Sequence, residues 1–137
     1  MTPQACLAFG WCWITVGLVS GTVIGLFFHR ADWLGGYDAW PRRMVRLGHI
    51  AFLGTGILNL LFALTVLALN PEPTSGGPDP LVTAAGAAWV LGAISMPTIC
   101  LLASWRKPLR HLFFIPVVSM LAGGVMTTWV ALKGVAG

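Results

Sequence analysis

The chain has 137 residues, of which 57% are hydrophobic and 9% charged, and its formal net charge is +4. Soluble domains carry about 25% charged residues, so this balance excludes an ordinary water-soluble fold. The basic residues come in short clusters at the ends of apolar segments, with no basic domain to follow a phosphate backbone, which excludes a nucleic-acid binder as well.

Four apolar runs of about 20 residues or more match the length a helix needs to cross a bilayer core of roughly 30 Å. The expected fold is an all-α integral membrane protein, a single transmembrane domain over residues 1–137 built as a four-helix bundle. The first helix is expected over Ala5 to Phe28. The MTPQ start has no basic n-region and the apolar run is longer than a signal h-region, so the helix is read as retained. Gly17, Gly21 and Gly25 form a doubled G-x-x-x-G that lets another backbone approach closely, within the bundle or on a partner.

A basic, aromatic turn follows, HRADWLGGYDAWPRRMVR, with Arg30, Arg42, Arg43 and Arg46. Trp33, Tyr37, Trp40 and Met44 have the spacing of a short interfacial helix, a membrane-surface anchor or a lid over a site, with breaks expected at Gly35-Gly36 and Pro41. The second helix, Gly48 to Leu69, places His49, Phe52, Gly56 and Asn59 on one face with Thr55 close by. An asparagine in mid-span is costly against lipid, so this face is expected to point inward.

The turn from Asn70 to Pro80 is rich in proline, carries only acidic charge and reads as irregular and exposed. The third helix, Leu81 to Ser104, has Pro97 inside it. The fourth, Leu112 to Leu132, has Pro116 one turn from its start. Both prolines predict kinks in the half nearer the basic turns. Cys6, Cys12 and Cys100 lie at different depths and have no metal or redox spacing, so they read as small buried hydrophobes.

Seven of the eight Lys and Arg residues fall in the first and third turns. The positive-inside rule then puts those turns in the cytoplasm and both termini outside, in a bacterial inner (plasma) membrane. WPRRMVRLGHI (Trp40 to Ile50) and WRKPLRHLFFI (Trp105 to Ile115) resemble each other loosely. They suggest two similar helical hairpins with His49 and His111 in equivalent places.

All three histidines, His29, His49 and His111, sit at the basic interface. One reading is a b-type haem between the second and fourth helices, in a component of a respiratory or other redox membrane complex. His49 and His111 would be its axial ligands, and Arg43, Arg46, Arg106 and Arg110 would hold its propionates. His29 would be an alternative ligand, a propionate partner or a proton carrier toward a quinone. A copper or zinc ion bound by the three histidines, with Cys100 or Met44 as weaker additions, is a variant of that reading. The competing reading has no cofactor: an accessory or assembly subunit that packs on a larger membrane complex, or on a second copy of itself, through the Gly17/Gly21/Gly25 stripe, with basic turns touching anionic lipid. Transport and hydrolysis find little support. No Asp, Glu, Lys or Arg lies well inside a span, and Asp32, Asp38, Glu72 and Asp79 are all in turns.

Overall fold

A computed structural model of the chain describes residues 1–69 and 79–136. Of the expected irregular turn, Asn70 to Pro80, residues 70–78 lie outside the described residues, while Asp79 and Pro80 form the start of the third helix. Four helices organise the chain: α1 Pro3–Phe27, α2 Trp40–Leu69, α3 Pro80–Trp105 and α4 Phe114–Ala136. They have 25, 30, 26 and 23 residues. At about 1.5 Å rise per residue each exceeds the thickness of a bilayer core, and all four are apolar enough to cross one.

The helix starts follow from local chemistry. Thr2 caps α1 by accepting a hydrogen bond from the Ala5 amide at 3.2 Å, with Pro3 in the first turn, where its missing N–H costs nothing. Asp79 does the same for α3, accepting from the Leu81 amide at 2.7 Å ahead of Pro80. Pro41 also occupies a first turn, as the second residue of α2. It was expected to mark a break, and instead it lets α2 begin eight residues earlier than Gly48.

The expected interfacial helix does not form. Trp33–Gly35 is a single 3-10 turn. Leu34, Gly35 and Gly36 have φ of 55°, 85° and 98°, a run of left-handed residues that no right-handed helix continues through. Trp40 and Met44 belong to α2. The two look-alike segments also differ, since Trp40 to Ile50 is α-helix while Lys107–Phe113 is a 3-10 segment leading into α4. Pro116 falls in the first turn of α4, where it requires no kink.

The helices pack serially, α1 on α2, α2 on α3 and α3 on α4, with minor contacts between α1 and α3 and between α2 and α4. Among the described residues α1 and α4 make no comparable contact. The bundle is therefore open: α2 and α3 form its centre, while α1 and α4 flank it and expose rows of Leu, Val and Trp. Close approach depends on small residues. An added Cβ at Gly10 would lie 2.9 Å from the Gly56 carbonyl oxygen, and one at Gly17 2.7 Å from Leu53. A buried cluster joins all four helices away from the basic end, with Cys6, Phe62, Val66, Val82 and Val130 among its members.

Candidate functional site at the basic end of the bundle

The inward face of α2 begins with an arginine. Arg42 is 2% exposed, far below what a lone cation tolerates without partners. Its guanidinium donates to the backbone carbonyl of Phe28 at 3.0 Å and, at 3.4 Å, to those of Arg30 and Ala31. The rings of Phe28, Trp33 and Tyr37 surround it at 4.9 to 5.5 Å. These carbonyls follow the C-terminus of α1, where the helix dipole favours a positive charge. The α1–α2 connection is thus folded around one side chain. Sequence reasoning did not single out Arg42, although a signal was present: it lies seven residues before His49, on the same helical face, and aromatic residues crowd the preceding turn.

Two turns on, the His49 ring lies against α1. Its Nδ1 is 3.1 Å from the Ser20 hydroxyl, and a Cβ at Gly21 would come within 2.5 Å of its Cε1. The same Ser20 hydroxyl is 2.8 Å from the Gly17 carbonyl, so Ser20 links the His49 ring to the α1 backbone. Gly21 is glycine because the imidazole occupies the space a side chain would need. Gly17 and Gly21 are taken up by α2, and only Gly25 of the stripe has nothing within 4 Å.

His111 is exposed on the 3-10 segment, which packs on α3 and the start of α4, and His29 is exposed just after α1. His49 therefore turns toward one flank of the central pair, and His111 sits on an element beside the other. These contacts do not bring the two rings together across an α2–α4 interface. Among the described residues no three His, Cys, Asp or Glu side chains converge as a group that could hold a metal ion. Arg43, Arg106 and Arg110 are exposed. Arg43 makes a loose 3.6 Å pair with Asp38, and Arg46 stacks on Tyr37 at 4.3 Å.

Deeper inside, polar groups tie helix to helix. Pro97 has no N–H to give the Ala93 carbonyl one turn back, and the Trp13 indole of α1 donates to that carbonyl at 3.1 Å. Asn59, fully buried as its mid-span position required, donates to Thr55 at 2.9 Å and to the Trp89 carbonyl at 3.4 Å. Trp40 bonds the Ala103 carbonyl at 2.7 Å, and Trp89 bonds the Thr127 hydroxyl at 2.9 Å. Two buried polar atoms, Asn59 Oδ1 and Arg42 Nε, have no partner among the described residues.

Between α2 and α4, where a haem was expected, runs an open groove of about 440 Å³ lined by residues such as Leu47, Ile50, Gly54, Met96 and Met120. No imidazole lines it, so its donor set does not fit a bis-histidine haem. Comparison with known protein families, curated proteins and solved structures finds no match to the chain.

Proposed function

We propose that the chain is an integral membrane protein that acts as a non-catalytic accessory subunit of a larger membrane assembly, with its basic turns cytoplasmic and its termini outside. The supporting observation is the use made of its interior polar groups. Arg42, His49, Asn59, Trp13, Trp40 and Trp89 each tie one helix to another helix or to a connecting turn. Such bonds hold helices together where lipid offers no hydrophobic drive for association. The open arrangement leaves the apolar flanks of α1 and α4 for lipid or for neighbouring subunits. Because Gly17 and Gly21 are filled by α2, a partner would meet these outer flanks and not the glycine stripe. Isolation in mild detergent, followed by native mass measurement, is expected to find the chain at fixed stoichiometry with the same larger subunits. A monodisperse, partner-free monomer recovered from its own membranes would overturn the reading.

A second reading keeps haem binding at His49, whose ring is held between α1 and α2 beside Ser20. A haem there would lie on the α1–α2 side and take no ligand from His111. A Soret band lost in His49→Ala and kept in His111→Ala would establish this second reading; a colourless protein from haem-replete cells would dismiss it.

A further inference from the structure

The groove between α2 and α4 opens one helical turn from the basic end. On α2, Arg43, Leu47, Ile50 and Gly54 form one stripe, so Arg43 stands directly above the groove lining. The Trp40–Ala103 bond sets the start of α2 level with the end of α3. That registration puts Arg43 at the height of the α3 terminus and the 3-10 segment, where Arg106, Lys107 and Arg110 are exposed. An apolar groove below Arg43, at the end of the bundle where Arg106, Lys107 and Arg110 are also exposed, has the form of a site for a chain bearing an anionic head.

We propose that this groove binds one anionic phospholipid, with an acyl chain along Leu47, Ile50, Gly54, Met96 and Met120 and the phosphate at Arg43 and the cations after α3. The inference rests on the membrane part of the functional proposal and is independent of whether the chain is an accessory subunit. Arg43 is free to serve, because its side chain is 56% exposed and its Asp38 partner 85% exposed, 3.6 Å away. Guanidinium and ammonium groups at a membrane surface attract anionic headgroups, and arginine adds a planar fork that matches phosphate oxygens. Gly54 helps keep the groove open: it lines the groove, and nothing lies within 4 Å of the Cβ it lacks.

The test is native mass spectrometry of the detergent-solubilised full chain titrated with phosphatidylglycerol or with phosphatidylcholine of identical chains. The wild type is expected to retain one phosphatidylglycerol at least about tenfold better than phosphatidylcholine, a difference of about 1.4 kcal/mol. Arg43→Gln is expected to remove most of that preference, Gly54→Leu to lower retention of both lipids, and Asp38→Asn to raise phosphatidylglycerol retention. Equal retention of the two lipids by the wild type would overturn the proposal, as would variants indistinguishable from it. Alkaline washing of membranes separates the two failures. A chain released by the wash defeats the membrane reading and the lipid site together, whereas a retained chain without lipid preference defeats the lipid site alone.

Discussion

Pro97 and Trp13 make a pair that only three-dimensional structure reveals. The proline in the sequence announces a free carbonyl and says nothing of who satisfies it; the answer lies 80 residues away on α1. The pairing predicts non-additivity. Trp13→Phe should lower stability by about 1 kcal/mol in detergent by leaving the Ala93 carbonyl unmet. In a Pro97→Ala background, where the backbone supplies the N–H, most of that loss should vanish. A double-mutant cycle on thermal unfolding measures this, and strictly additive losses would show that the indole bond contributes nothing. Arg42 is the second residue on which much depends. Arg42→Ala should cost about 2 kcal/mol through lost carbonyl bonds and ring contacts. Arg42→Lys should not restore it, since an ammonium cannot reach several carbonyls while lying flat among three rings. Equal melting temperatures for Arg42→Lys and wild type would refute that cage. The inward face holding Phe52, Thr55, Gly56 and Asn59 was legible from spacing and the cost of a mid-span amide; Arg42 was not, because a basic residue near a turn ordinarily reads as topology.

At the level of elements, the glycines of α1 separate into two kinds. Gly17 and Gly21 are close-approach positions, whereas Gly25 faces open space. Gly21→Ala should push the His49 ring off Ser20 and destabilise by about 1–2 kcal/mol. Gly25→Ala should be neutral or slightly stabilising, through helix propensity. Thermal unfolding of the two variants side by side checks this, and a Gly25→Ala loss as large as that of Gly21→Ala would show the stripe to be uniformly packed. The doubled G-x-x-x-G revealed that a helix would approach, but neither which helix nor how far the contact would extend. The boundaries of α1 and α3 were legible because apolar run and cap coincide. That of α2 was not, because Pro41 punctuates a chain in two opposite ways: it ends a helix that precedes it and starts one that follows.

For the molecule as a whole, four helices of spanning length follow from hydropathy alone, because that signal needs no knowledge of neighbours. The order of packing does not. An open arrangement and a closed square of helices share the same apolar pattern, and α2 and α4, between which the haem was expected, share only minor contacts. The loose likeness between the two basic segments did not extend to local structure: similar interfacial composition serves an α-helical start in one and a 3-10 segment in the other.

The central claim is that the His49 ring belongs to the α1–α2 contact. Cysteine cross-linking in native membranes, with a short thiol reagent and the natural cysteines replaced by alanine, tests it most directly. Gly21→Cys paired with His49→Cys should cross-link rapidly, and His49→Cys paired with His111→Cys should not. Efficient linkage of the second pair with none in the first would contradict the account and return the two histidines to a shared site.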